Sequence, residues 1–350
     1  GGPGATVAAD NAGAGSRGRD ANVGEYGVAD PLTDPAAAET APPIHPDGNL
    51  IRRIHLRHGD QQVVGEVQVE GTYEVGMQDQ AFLGPESGMA IPAEGGGVDL
   101  YIATQWLHAD RDQVAACLGL RPERVRLTLA GVGGAFGARE DLSMHVHLCM
   151  LAMHTGRPVK MVYSREESFH GHVHRHPARM WYRHHADRDG TLVRVEASLL
   201  LDGGAYASSS SAVIAHATCF AAGPYRVPSA DIEGVVVRTN NPPCGAMRGF
   251  GAVQTCFAHE AQMDLLAGAL GMDPVELRLR NVLATGDRLV TGQAITGTAP
   301  GAEVIRTCVD HPSAASIAED PMALPGGAGR TADPAHVVRG EALAVGFKNL

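Results

Sequence analysis

Residues 130–141 read AGVGGAFGARED, with one large side chain, Phe136, among four glycines (Gly131, Gly133, Gly134 and Gly137). Residues 240–254, NNPPCGAMRGFGAVQ, have the same design around Arg248 and Phe250. Backbone without Cβ atoms tolerates left-handed angles and very close approach by another chain or a ligand. A simple strand-to-helix turn needs only one or two glycines. Two thin loops, each bearing an aromatic ring and each leading toward a helix start, predict two walls of one binding site. A helix N-terminus following such a loop offers its positive end to an anionic group. An arginine held among glycines, Arg248, suits an anion or oxo group.

Two nucleotide motifs fail on spacing. Counted from Gly131, the third glycine of a dinucleotide fingerprint falls on Phe136, and no Gly-Lys-Ser/Thr follows to make a phosphate loop. The net charge of −11 argues against nucleic acid as a partner, since phosphate binding needs clustered Lys and Arg. No apolar run approaches the ~20 residues of a membrane span, so no membrane partner is expected. The six cysteines stand apart with no CxxC pair, which excludes a local zinc knuckle or iron–sulfur loop. Isolated thiols in AACLGL and HLCML read as small buried core residues, and a reducing, cytoplasmic setting is expected.

Along the chain, residues 1–48 are rich in Gly, Ala, Asp and Pro and read as disordered or as the remnant of an upstream domain, with order beginning near Leu50. Alternation predicts strands over 63–75, 98–105, 124–131 and 159–167, and a long hairpin turning at Asp189-Gly190. Asp110, with Gln113 three residues on, reads as a helix N-cap. Helices are expected over DLSMHVHLCMLAMHTG, over 253–270 ending at Gly271, and after the Asp273-Pro274 cap. A Pro/Gly/Ala-rich linker spans 309–334, and VVRGEALAVGFKNL reads as a strand that stops mid-pattern. The resulting class is α+β, antiparallel hairpins with interspersed helices.

FHGHVHRHPAR places His170, His172, His174 and His176 at every second position. On a strand all four would share one face, a possible metal site. No carboxylate or thiolate stands nearby in obvious register, so a solvated or packed strand end is expected instead. Trp106 and Trp181 are expected to pack, and SREES (164–168) to form an exposed turn.

GVGGAFGARE followed about a hundred residues later by PPCGAMRGFGAVQ, with GMQDQAFLGPESGMAIP (76–92) upstream, resembles the molybdenum-cofactor subunit of the xanthine dehydrogenase and aldehyde oxidase family. The similarity runs in consistent order from about Gly65 to Arg306, and its details are closest to bacterial xanthine dehydrogenase molybdenum subunits. The resemblance implies a molybdenum-pterin cofactor, as molybdopterin or its cytosine dinucleotide form. It places Gln78, Phe136 and Arg248 beside the metal, with Gly133, Gly134 and Gly137 allowing close approach. It assigns Glu140 to a purine substrate by hydrogen bond and Phe250 to the flat face of the ring. Purine-hydroxylating relatives often carry a substrate-binding Arg before the YxxP that here is Tyr225–Pro228, and VIAHATCF offers His216 instead.

The implied reaction is oxidative hydroxylation of xanthine or hypoxanthine at a carbon next to nitrogen, with oxygen from water. Partner subunits carrying [2Fe–2S] clusters and FAD are implied as well. The family's general base is a Glu expected beyond Leu350, so no catalytic residue is assigned in this chain. The domains implied are a first cofactor-binding domain over 49–308, the linker, and the start of a truncated second cofactor-binding domain at 335–350. The alternatives are hydroxylation of another N-heterocycle or an aldehyde, or a non-catalytic fragment that binds cofactor or partner.

Overall fold

The computed structural model describes residues 6–25, 27–311 and 341–348. Most of the expected linker, and the opening of the expected second cofactor domain, lie outside the described residues.

The first helix is α1 (Ala12–Asp20), followed by strands β1 (Leu50–His58), β2 (Val67–Val75), β3 (Ser87–Ala93) and β4 (Gly97–Ile102). Helix α2 (Leu107–Leu118), strand β5 (Val125–Leu129), helix α3 (His145–Thr155), strand β6 (Val159–Val162) and helix α4 (Arg165–Gly171) come next. The hairpin β7 (Ala178–Ala186) and β8 (Leu192–Asp202) leads to helix α5 (Ser210–Cys219) and strand β9 (Ser229–Val237). Helices α6 (Ala252–Leu270), α7 (Pro274–Asn281) and α8 (Gly301–Val309) follow.

These strands make two mixed sheets, ordered β1-β9-β8-β7-β2 and β5-β4-β3-β6. Most neighbours are antiparallel, as the hairpin pattern predicts, but β8–β9 and β4–β5 run parallel. Parallel neighbours need a crossover, and the helices α5 and α2 supply it. Helix α5 packs on β1 and β9, and α6 on β2 and β7. The larger core gathers Tyr182, Leu199, Leu201, Ile214, Ile232 and Leu266. The smaller one gathers Leu100, Ile102, Val114, Met144 and Leu148 between the second sheet, α2 and α3.

Several local expectations change in three dimensions. Helix α2 begins at Leu107, ahead of Asp110, which is buried, receives a hydrogen bond from Thr104 and lies 3.6 Å from His145. SREES is no exposed turn: Ser164 caps α4 through a reciprocal capping box with Glu167. No long helix starts directly after Glu140. A single 3₁₀ turn, Ala138–Glu140, precedes α3, so α3 does not begin at the end of the first glycine loop. Cys149 is buried, its thiol pushed up to about 12 by burial, whereas Cys117 of AACLGL is exposed. Residues ahead of Leu50 also make contacts: Ala38 is buried against Val235 and Val237, and Asn240 ties down the Leu32 amide at 2.8 Å. Residues 341–348 belong to no named strand.

His176, just ahead of β7, and His184, within it, are buried, and burial pushes both down to about 3, helped by Arg175 and His259 respectively. A folded pKa below the unfolded ~6.5 means that the unfolded chain takes up protons the folded chain refuses. This contribution is complete above pH ~6.5 and lost as pH falls toward 3. Between pH 7.5 and 5.5 the two together should cost about 3 kcal/mol. Calorimetry should therefore show a lower Tm at pH 5.5; equal values would contradict neutral burial of both rings.

Candidate functional site

Strand β5 delivers the chain into the first glycine loop. There Gly133 lies so close to Gly84 that an added Cβ would stand 2.7 Å from the Gly84 Cα, and the Gly84 amide donates to the Gly133 carbonyl at 2.9 Å. Arg139 clamps the same corner. Its Nε donates to the Gly134 carbonyl at 2.9 Å, its Nη2 to the Gly84 carbonyl at 2.6 Å, and its guanidinium lies over the Phe82 ring.

Backbone angles then repeat between the two loops. Phe136 (φ +53°) stands between Gly134 (+99°) and Gly137 (+105°), and Phe250 (φ +49°) stands between Gly249 (+94°) and Gly251 (+96°). A bulky residue in the left-handed region costs on the order of 1–3 kcal/mol and persists only where its surroundings hold it. Here each loop holds the other. The Arg248 amide donates to the Phe136 carbonyl at 2.8 Å, and Gln80 Nε2 donates to the Ala246 carbonyl at 2.7 Å. The Gln105 side chain accepts from the Gly137 amide at 3.1 Å.

Between the loops opens a cleft of ≈ 610 Å³, lined by Gln80, Phe136, Arg175, Met247, Arg248 and Lys348 among others. Phe136, which lines it, is about half exposed, at 48%. Arg175 forms its back: Nε donates to Gln78 Oε1 at 2.8 Å, Nη2 donates to the Arg248 carbonyl at 2.9 Å, and burial lowers its pKa. Arg175 Nη1 and Gln80 Oε1 are buried without a hydrogen-bond partner. An orphaned donor and an orphaned acceptor at one thin-walled cleft fit a polar, multi-functional bound group.

The sequence-predicted residues divide accordingly. Phe136 and Arg248 line the cleft, and Gln78 reaches it through Arg175. Gly133, Gly134 and Gly137 serve backbone packing of the loops. Glu140 and His216 flank Lys348, whose charge acts on both. Burial and then Asp141 raise the Glu140 pKa against the opposing pull of Lys348. Burial, then Lys348, lowers the His216 pKa. The Phe250 ring meets His216 edge-on at 5.2 Å, and these two, like Glu140, adjoin the cleft's Lys348 and Gly249 side without being among the residues that line it. Gln80, Gln105, Arg175 and Lys348 escaped sequence reasoning. Arg175 carried a signal, a charged residue amid the histidine run; Lys348 carried none, because it enters from a segment 98 residues beyond Phe250.

A family model described as the molybdopterin cofactor-binding domain matches residues 44–282. The chain is 41% identical over 263 residues to the nicotinate dehydrogenase large molybdopterin subunit of Eubacterium barkeri, covering 74% of this chain and 62% of that protein. It is 35% identical over 272 residues to a probable xanthine dehydrogenase subunit of Bacillus subtilis, covering 77% of this chain and 36% of that protein. Thus the chain spans less than two thirds of either relative. Among solved structures, the aldehyde oxidoreductase of Desulfovibrio gigas superposes with a TM-score of 0.77 at 30% identity, covering 82% of this chain and 32% of that chain. Quinoline 2-oxidoreductase from Pseudomonas putida 86 superposes with a TM-score of 0.75 at 25% identity, covering 83% of this chain and 39% of that chain.

Proposed function

The chain belongs to the molybdopterin cofactor-binding family, and from that premise we propose that it forms the cofactor-holding part of a molybdenum hydroxylase acting on a small N-heteroaromatic ring. The observation that carries this is the 2.8 Å bond from the Arg248 amide to the Phe136 carbonyl, which makes one cleft of two glycine loops. In this reading Gln78, Phe136 and Arg248 would hold the molybdenum end of the cofactor. When bound, the cofactor supplies two-electron oxidation of a ring carbon next to nitrogen, with oxygen from water.

The chain's own residues position the reactants. Gly133, Gly134 and Gly137 keep the wall thin, and the orphaned Arg175 Nη1 and Gln80 Oε1 are ready to bond polar edges of the bound group. Phe250, braced by His216, presents an aromatic surface to a flat substrate. Glu140, with its pKa raised by burial, can donate to a ring nitrogen when protonated or accept from a ring N–H when ionised. None of these groups is given the part of general base. Partner subunits with iron–sulfur clusters and FAD, a cytoplasmic location and a role in purine breakdown belong to the same proposal. Among the described residues no helix is long and apolar enough to cross a membrane.

Xanthine or hypoxanthine is the first substrate class, because Glu140 offers a carboxyl with a raised pKa and His216 an unpartnered Nδ1 as hydrogen-bonding groups for a heterocycle. A pyridine ring bearing a carboxylate is the second, favoured by Lys348, a cation that lines the cleft beside Arg248. On the purified complex, molybdenum analysis and turnover of xanthine, hypoxanthine, nicotinate and benzaldehyde test both readings. Glu140→Ala should lower kcat/KM for the preferred heterocycle by about 10–1,000-fold at unchanged molybdenum content, in line with loss of one substrate hydrogen bond. Lys348→Met should penalise nicotinate more than xanthine. A complex without molybdenum, or one oxidising benzaldehyde alone, would refute the heterocycle proposal.

A further inference from the structure

Behind the cleft, the histidine run meets two carboxylates that are remote in sequence. His172 Nε2 lies 3.0 Å from Asp79 Oδ2, and His174 Nε2 lies 3.2 Å from the same oxygen. On its other side, His172 Nδ1 lies 2.8 Å from Glu86 Oε1. The His172 and Glu86 side chains are 1% and 4% exposed. We propose that Asp79, His172 and His174 bind one divalent transition-metal ion of the zinc type, with Glu86 orienting His172.

The arrangement makes poor sense as hydrogen bonding alone. Both His172 nitrogens, Asp79 Oδ2 and Glu86 Oε2 lack hydrogen-bond partners, although the nitrogen–oxygen pairs are at contact distance; the approach directions are wrong for N–H donors. Asp79 Oδ1 is engaged by the Ala81 amide at 2.6 Å, which leaves Oδ2 aimed between the rings. Glu86 Oε1 stands beside His172 Nδ1, and His174 Nδ1 has the Pro243 carbonyl at 3.4 Å. Both Nε2 atoms lie within 3.2 Å of one carboxylate oxygen, and a cation among the three would partner His172 Nε2 and Asp79 Oδ2, which otherwise have no hydrogen bond.

Those three atoms lie within 4.8 Å of one another. The 3.0 and 3.2 Å separations match the edges of a tetrahedron of zinc ligands, roughly 3.3 Å for bonds of about 2.0 Å. A carboxylate on the far nitrogen of a ligating imidazole is the usual orienting partner at such sites. The Phe169 carbonyl, 2.8 Å from His174 Nε2, is a further oxygen beside the set. Without an ion, His174 Nε2 donates to the Phe169 carbonyl; with one, that single ring proton moves to Nδ1, which faces the Pro243 carbonyl, while the two rings stay stacked at 5.4 Å and 22°.

The location gives the ion a structural part. Asp79 adjoins Gln78 and His174 adjoins Arg175, and the side-chain bond from Arg175 to Gln78 forms the back of the cleft. An ion across Asp79 and His174 would staple those two segments together. This holds whether or not the cleft takes a molybdenum-pterin group.

The test is zinc content of the purified native complex, by plasma mass spectrometry after dialysis against one equivalent of zinc, alongside anomalous diffraction at the zinc edge. About one zinc per chain is expected, with an anomalous peak between Asp79 and His174. Asp79→Asn and His174→Ala should retain less than a tenth of it, and Glu86→Gln should bind about 10–100-fold more weakly. Hydrogen exchange should rise over residues 76–82 and 172–176 when a chelator strips the wild type, a readout that needs no variant to fold. A wild type that takes up no zinc, manganese, cobalt or nickel, or a His172→Ala/His174→Ala chain that keeps its zinc, overturns the site and leaves the paired imidazoles as an ion network.

Discussion

Gly137→Val should empty the cleft of its cofactor while leaving the sheets intact. Gly137 sits at φ +105°, which side chains with a β-branch do not adopt. An added Cβ would stand 2.6 Å from the Ala246 carbonyl oxygen, 2.7 Å from its carbon and 3.0 Å from the Met247 Cα. All three are backbone atoms, so no rotamer relieves the clash, and the two glycine loops must separate. Separation breaks the bond from the Arg248 amide to the Phe136 carbonyl, and with it the register of both cleft walls. Displacement of a positioning group by about 1 Å can cost 100-fold in rate. With the cofactor wall itself displaced, molybdenum content should fall below a tenth and kcat/KM by at least about 1,000-fold. Gly131→Ala is the matched control: it meets nothing within 4 Å and has no left-handed φ to protect. Full molybdenum loading in Gly137→Val would show that the loops do not form the cofactor wall.

Arg278→Met should be the most destabilising substitution outside the cleft. The Arg278 side chain is fully buried, with Nε donating to Glu260 Oε2 at 2.9 Å, Nη1 to Asp264 at 2.8 Å and Nη2 to the Glu260 carbonyl at 3.2 Å. Glu260 also accepts from the Tyr225 hydroxyl at 2.5 Å and from the Val345 amide at 2.9 Å, and it contacts His259 at 3.2 Å. Removing one partner of a buried ion pair strands the other and costs roughly 3–5 kcal/mol. Melting should fall by roughly 5–15 °C. Burial alone would raise the Glu260 pKa, but His259, Tyr225 and Arg278 overcome it and hold the carboxyl at about 2. A depressed folded pKa stabilises above the unfolded value of about 4.5, and that contribution is lost as pH falls toward 2. Arg278→Met should therefore show a shallower loss of stability than the wild type across that interval. An unchanged Tm would mean that the pair is balanced by desolvation.

Much of the framework is legible locally. The Asp189-Gly190 turn, the Asp273-Pro274 cap and the Gly156 and Gly271 stops all stand where the sequence puts them, since each depends on one or two residues' own backbone preferences. The failures came where a side chain had a distant partner. Asp110 resembles a helix cap in sequence, yet Thr104 and His145 draw it into the core. The parallel pairs β4–β5 and β8–β9 were hidden because alternation shows which face of a strand is buried and is silent about its neighbour's direction.

The candidate site divides along the same line. Two glycine-flanked aromatic residues are a backbone requirement written in consecutive residues, so Phe136 and Phe250 could be found from their neighbours alone. The meeting of Phe136 with Arg248, the support of Gln78 by Arg175, the entry of Lys348 and the carboxylates behind His172 were decided only by the tertiary structure. Each of these contacts joins segments tens to hundreds of residues apart in the chain. Conformational preference is a property of a residue and its neighbours, whereas coordination and electrostatics depend on distances that chain order does not contain.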